Sequence, residues 1–125
     1  MSGEYKFTFE KLRVWQEART WVHDIFQLAK AFPVEERFGL SNQLTRAAVS
    51  VAANLAEGVS RISAKDQAHF SQLAYSSLME SACLVLLAGD LGWIRSDRLG
   101  QERQKIESLS NQINALRRAQ LARSK

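Results

Sequence analysis

Residues Gln43 to Arg61 read QLTRAAVSVAANLAEGVSR, and the spacing within this stretch decides the fold. Leu44, Ala48, Val51 and Leu55 recur at three- and four-residue steps, which places them on one face of an α-helix. Gln43, Arg46, Ser50, Asn54 and Glu57 recur in the same way beside them. An exposed helix face ordinarily carries long charged side chains, whereas this polar row is hemmed in by Ala47, Ala52, Ala53 and Ala56. Small flanking residues let a second backbone approach closely. The row is therefore expected to be a hydrogen-bonded structural network or a subunit interface, with a ligand or RNA contact as the weaker alternative.

Outward from this stretch, Pro33 ends a preceding helix and suits the opening turn of this one. Glu35 and Glu36 in that turn complement the helix dipole. Gly39 and Ser41 leave the start open, since Ser41 can act as a second cap after a bend. Gly58 is the expected left-handed C-cap. Glu57 then sits in the last turn, where the dipole disfavours a carboxylate, so an arginine (Arg46 or Arg61) or donors at another helix end are expected to hold it.

Upstream, Trp15, Ala18, Val22, Ile25, Ala29 and Phe32 predict a first helix from about Phe9 to Phe32, with Val14, Trp21 and Leu28 widening its stripe. Before it, Tyr5, Phe7 and Phe9 alternate along residues 1–8 and the residue after, an extended arm expected to pack its rings on a helix or a neighbouring subunit. Downstream, Ser63 to Asp66 has capping-box spacing and opens a third helix, Ala64 to Leu91. Phe70, Leu73, Ser77, Leu84, Ala88 and Leu91 form its stripe, and Leu78, Ala82, Val85 and Gly89 lie alongside. Its centre is apolar nearly all round, which predicts the most buried helix, with Ser76, Ser77 and Glu80 level with the polar row. Gly92 ends it, and Trp93 and Ile94 should pack back on the bundle. Ser96 caps a fourth helix, whose seam of Leu99, Ile106, Leu109, Ile113 and Leu116 is interrupted at Glu102 and stops before Gln120. Residues 117–125 read as a basic tail that frays. Four helices of roughly 20–30 residues with short connections give an all-α, antiparallel up-down-up-down bundle in a single domain, residues 1–125.

The 125 residues carry 17 Lys and Arg against 13 Asp and Glu, a net charge of +4. Mild basicity permits nucleic acid as partner without demanding it. Cys83 is the single cysteine, so no internal disulfide forms, and its apolar surroundings in sequence predict a small buried hydrophobe. MSGEYKF lacks a signal-peptide layout, and the apolar run around Cys83 is shorter than the roughly 20 residues of a membrane span. A soluble, cytoplasmic protein is expected. His23 and His69 stand on different helices and make no metal site by themselves, and no ferritin-like Glu-x-x-His pair is present. There is no Gly-x-Ser-x-Gly elbow and no Walker-type loop, so neither an enzyme nor a cofactor is expected. Glu57 and Glu80 are better read as carboxylates ordering the bundle than as an acid–base pair.

Phe9-Glu10-Lys-Leu12-Arg-Val14-Trp15-Gln16, Phe32-Pro33-Val-Glu35, and the segment from Gln43 through Asn54-Leu-Ala-Glu57-Gly58 resemble the four-helix-bundle proteins of the ribosomal-RNA intervening-sequence type. Phe70, Ala74, Ser77, Leu78 and Glu80 fit the third helix of that family. The resemblance covers residues 7 to 116, and Val49-Ser50-Val51 stands where the family has Ser-Ile. It implies a ring-like homopentamer around a channel, and a relation to the accessory proteins of diversity-generating retroelements, which bind nucleic acid. In such a ring the basic residues Lys11, Arg13, Arg19, Arg95, Arg98, Arg103, Lys105, Arg117, Arg118, Arg123 and Lys125 would repeat about the axis and meet phosphates without reading sequence. The expected function is weak RNA or DNA binding as accessory to a larger machine, with a protein–protein scaffold as the alternative. Gln43, Arg46, Ser50, Asn54, Glu57 and Glu80 are expected to form a structural polar network or a subunit interface.

Overall fold

The computed structural model describes residues 3–124. Four helices, α1 (Arg13–Lys30), α2 (Leu40–Val59), α3 (Ala64–Asp90) and α4 (Ser96–Arg123), run antiparallel in sequence order, with no strand among the described residues. α1 packs on α2, α2 on α3, α3 on α4, and α4 closes back on α1. The core is filled by Ile25, Leu44, Val51, Leu55, Leu78, Val85, Leu109 and Ile113, each with almost no exposed surface. α1 contributes Val14, Ala18, Trp21, Ile25, Leu28 and Ala29. The buried face thus takes Ala18, Ile25 and Ala29 from the expected stripe and Val14, Trp21 and Leu28 from its widening edge, while Trp15 and Val22 are half-buried.

The ends of the helices differ from expectation for local reasons. The first helix is broken at Leu12, whose backbone is extended (φ −81°, ψ 118°) between a 3-10 turn at Thr8–Lys11 and α1. The turn is held from both sides: Phe7 N–H donates to Glu10 Oε1 at 2.9 Å and Gln16 Nε2 donates to Glu10 O at 2.7 Å. Pro33 opens a separate 3-10 turn, Val34–Glu36. α2 starts only at Leu40, whose N–H is accepted by Glu36 Oε1 at 3.2 Å, so Glu36 supplies the cap that Ser41 was expected to give. Ser41 Oγ points instead to Ala29 O at 3.5 Å.

Gly58 is not a left-handed cap. It is helical and buried, and α2 runs on to Val59. A Cβ on Gly58 would lie 3.1 Å from Phe70 Cβ and 3.4 Å from Gln67 O, so the missing side chain is what lets α3 approach. Ser63 caps α3 as its spacing predicts, with Oγ accepting Asp66 N–H at 3.1 Å. Gly92 is left-handed (φ 80°), and Trp93 N–H returns to Ala88 O at 3.0 Å. This brings the Trp93 ring to 5.6 Å from Phe32 and buries Ile94. At the start of α4, Arg98 N–H is accepted by Asp97 Oδ1 at 2.9 Å, and Ser96 makes no capping bond.

α3 is not covered on all sides. Leu73, Cys83 and Leu87 are exposed, and Cys83 is not the buried hydrophobe its neighbours suggested. Leu91, just past the C-terminus of α3, is exposed as well. By length and composition α3 would also pass as a membrane span, yet it carries buried Ser71 and Ser81 and packs on both α2 and α4. As far as it is described, the basic segment expected to fray is ordered helix: α4 continues to Arg123, and Gln120 is buried, accepting from Ser71 Oγ at 2.6 Å.

Candidate nucleic-acid interface and a buried charge cluster

Antiparallel order places the start of α1, the end of α2, the start of α3 and the end of α4 at one end of the bundle. Lys11, Arg13, Arg61, Lys65, Arg117, Arg118 and Arg123 gather there. The end is stitched across segments: Arg123 Nη2 donates to Gln67 Oε1 at 2.8 Å, and Gln67 Nε2 donates to Arg61 O at 2.9 Å. The Arg61 guanidinium lies 4.3 Å from the centroid of the Phe70 ring. Arg13 reaches Glu17 only at 3.7 Å and stays exposed. Arg19 lies over Trp15 at 5.4 Å. Lys125 falls outside the described residues.

The remaining predicted basic residues do not join this end. Arg95 is at the opposite end, bonded to Asp97 at 2.8 Å. Arg103 is exposed in the first third of α4. Half-buried Arg98 and exposed Lys105 pair with carboxylates on α1 and α4. Arg98 Nη2 contacts Asp24 Oδ1 at 2.9 Å and Glu102 Oε2 at 3.3 Å, and Lys105 Nζ contacts Asp24 Oδ2 at 2.8 Å. Both cations are thus already paired within the chain.

At the centre of that cluster, Glu102 has no exposed surface. Trp21 Nε1–H donates to its Oε1 at 3.2 Å. Burial pushes the Glu102 carboxyl above its ordinary range, and its hydrogen bond to Asp24 and the charge of Asp24 add to the shift against Lys105 and Trp21. Burial acts to raise Asp24 too, but its hydrogen bonds to Glu102 and Lys105 and the charges of Arg98 and Lys105 outweigh it, so Asp24 lies below its ordinary value. Acidification thus protonates Glu102 first. The cluster borders a cleft of about 620 Å³ between α1 and α4, floored by Trp21 and Leu109. Glu17 on its rim is hydrogen-bonded by Gln112. One signal of this cluster is legible in the sequence, the break in the apolar seam at Glu102. Its partners Trp21 and Asp24, on another helix, carry none.

The polar row of α2 is structural only at its middle. Ser50 and Ser77 share a hydrogen bond at 2.8 Å, and Asn54 Nδ2 donates to Ser50 O at 2.9 Å and Ser50 Oγ at 3.0 Å. Gln43, Arg46, Glu57 and Glu80 are exposed. Among the described residues Glu57 meets neither Arg46 nor Arg61, so the expected clamp on it is absent. Gln43, Arg46 and Ser50 line a shallow hollow with Glu80 of α3, on whose same flank Leu73 and Leu87 are each more than a third exposed, beside Cys83. His23 and His69 are exposed, and among the described residues no three His, Cys, Asp or Glu side chains converge as metal ligands do.

Residues 10–115 match the family model of the 23S rRNA-intervening sequence protein. The chain belongs to that family. No curated protein matches it. A crystal structure from Bacteroides thetaiotaomicron, that of a protein of unknown function from the S23 ribosomal protein family, has the same fold, with a TM-score of 0.61 at 20% identity over 90% of this chain and 98% of that one. The stretch matched to the intervening-sequence protein family takes in Trp21, Asp24, Arg98, Glu102 and Lys105. Tyr5, Phe7, Arg117, Arg118 and Arg123 lie outside it, so the family pattern does not account for the outer rings or the terminal arginines.

Proposed function

We propose that this chain is a non-enzymatic, cytoplasmic homo-oligomer, pentameric as its family resemblance implies, that binds RNA or DNA weakly and without sequence readout. The reading includes service as an accessory to a larger nucleic-acid machine, of the kind that the related retroelement proteins serve. One observation carries it: Lys11, Arg13, Arg61, Lys65, Arg117, Arg118 and Arg123 come from four helix ends and share one end of the bundle, while Arg98 and Lys105, away from that end, are paired with Asp24 and Glu102. Flexible exposed cations on a rigid support neutralise phosphates in any sequence. Repetition around an oligomer axis would multiply the field of each copy. The exposed flank of α3, with Leu73 and Leu87, supports self-association. The same face favours the alternative reading, a scaffold that docks a partner protein.

The experiment is a titration of nuclease-treated protein with duplex DNA and structured RNA across a range of salt, with the mass of the oligomer measured on the same sample. Affinity is expected to fall linearly on a log–log salt plot. Replacing Arg117, Arg118 and Arg123 by glutamine is expected to flatten the duplex slope by about 0.9 for each phosphate that is no longer neutralised. Absence of binding at low salt would refute the reading, and a protein partner recovered equally well after nuclease treatment would favour the scaffold.

A further inference from the structure

The arm before α1 carries a ladder of rings that runs from solvent into the bundle. Tyr5 stands edge-on to Phe7 at 5.3 Å, Phe7 lies parallel to Phe9 at 5.6 Å, and Phe9 meets Trp15 edge-on at 4.8 Å. The inner rings are sheltered, but Tyr5 is 77% and Phe7 55% exposed. The arm is fixed in place: Phe7 N–H donates to the Glu10 carboxylate, Leu12 N–H donates to Phe9 O at 3.1 Å, and the 3-10 turn packs on both α1 and α2. Two large rings are thus held in water by a segment that already turns their neighbour Phe9 inward. Such an arrangement is unfavourable unless something covers the rings.

The charges beside the ladder indicate what does. Lys6 lies between Tyr5 and Phe7 in sequence, Lys11 and Arg13 follow, and all three are exposed. Of the acids on the arm, Glu10 is bonded to the Phe7 backbone and Glu4 is engaged in a contact of its own. Cores of protein–protein interfaces are depleted in charge, whereas sites for single strands interleave cations with rings, so that phosphates and unpaired bases are met together. Bases in a duplex are already stacked on each other and offer no free face. We propose that Tyr5 and Phe7 form a stacking platform for single-stranded nucleic acid, flanked by Lys6, Lys11 and Arg13. The proposal rests on the nucleic-acid reading above and makes it specific: the basic end holds any phosphate backbone, and the arm selects unpaired bases.

The test is fluorescence anisotropy with a labelled unstructured strand (oligo-uridine and oligo-thymidine) and a mixed-sequence duplex of equal length, titrated with the full chain. The variants are Tyr5→Ala with Phe7→Ala, and the ring-conserving pair Tyr5→Phe with Phe7→Tyr, each checked for helix content and oligomer mass. The alanine pair is expected to lose roughly tenfold or more in single-strand affinity per stacked base, with duplex affinity unchanged. The ring-conserving pair should keep both. Undiminished single-strand binding, or an equal loss on both polymers, would overturn the platform while leaving salt-dependent binding at the basic end in place. A fall in oligomer mass in the alanine pair would also overturn it, because the rings would then cover a second copy. No binding of either polymer by the unaltered chain at low salt would overturn the nucleic-acid reading itself.

Discussion

Trp21→Phe separates the electrostatic part of the α1–α4 cluster from its packing. Trp21 is 3% exposed and its Nε1–H is a neutral donor to Glu102 Oε1. Phenylalanine keeps an aromatic ring in the core and removes that donor. A hydrogen bond to a buried charged group contributes about 1.5–3 kcal/mol. The smaller ring adds roughly 1 kcal/mol of weakened packing. The variant is therefore expected to lose about 3 kcal/mol at pH 8, a fall in melting temperature on the order of 10 °C for a domain of this size.

The loss should depend on pH with a definite sign. Glu102 is raised above its ordinary 4.5, so its stabilising contribution is complete below that value and is lost as pH rises through the raised pKa. Asp24 is lowered below its ordinary 3.8, so its contribution is present above that value and is lost as pH falls through the lowered pKa. The pair stabilises most between the two. Trp21 favours the ionised form of Glu102, so removing it should cost less at pH 4.5 than at pH 8. Urea midpoints of both proteins at the two pH values measure this. An equal loss at both would show that the indole acts by packing alone and would refute the reasoning. Glu102→Gln provides the companion measurement. The amide can accept from Trp21 and donate to Asp24 but cannot ionise, so this variant should lose less stability than the parent protein between pH 4.5 and pH 8.

Leu78→Ala deletes a fully buried side chain and should cost about 2–5 kcal/mol by chemical denaturation. Gly58→Ala gains about 1 kcal/mol of helix propensity but drives a methyl group against Phe70 Cβ at 3.1 Å, and the overpacking, about 1–3 kcal/mol, should leave the variant less stable. Asn54→Ala should cost about 1 kcal/mol by removing the bonds to Ser50, while Glu57→Gln should leave the melting temperature unchanged; a larger effect at Glu57 would mean that this exposed carboxylate acts in the assembly.

Helical periodicity carries the architecture because each helix has at least one face whose apolar residues recur in step, and the breaks at Pro33, Ser63 and Gly92 are marked by residues with strong backbone or capping preferences. The phase of the faces is less legible. α3 is apolar on most sides, so its spacing does not distinguish the flank packed on α2 and α4 from the one that carries Leu73, Cys83 and Leu87. The end of α2 misleads because glycine serves two purposes: Gly58 resembles a cap in sequence, and only the distance to Phe70 shows that it is a contact point. Glu102 is visible as a fault in the α4 seam, but Trp21 lies 81 positions away, and no local pattern links the two. The candidate basic surface reads in sequence as scattered clusters. The antiparallel order of the helices brings Lys11, Arg13, Arg117, Arg118 and Arg123 to one end and leaves Arg95, Arg98, Arg103 and Lys105 away from it, and the side-chain contacts add that Arg98 and Lys105 are paired with carboxylates.

Cys83 gives the α2–α3 face an internal reporter. It is the single thiol in the sequence, it is exposed, and Glu80 and Leu87 lie on the same side of α3. Its rate of alkylation therefore reports one place on the molecule and no other. In a lone bundle the reagent should modify it as freely as a solvated thiol. In an assembly that buries this face, modification is slowed in proportion to the fraction of copies that stand free, and that fraction falls as protein concentration rises. Because each copy brings a single thiol, the fraction protected counts the covered faces directly, and an incomplete plateau would distinguish a closed ring from an open string of copies with a bare face at one end.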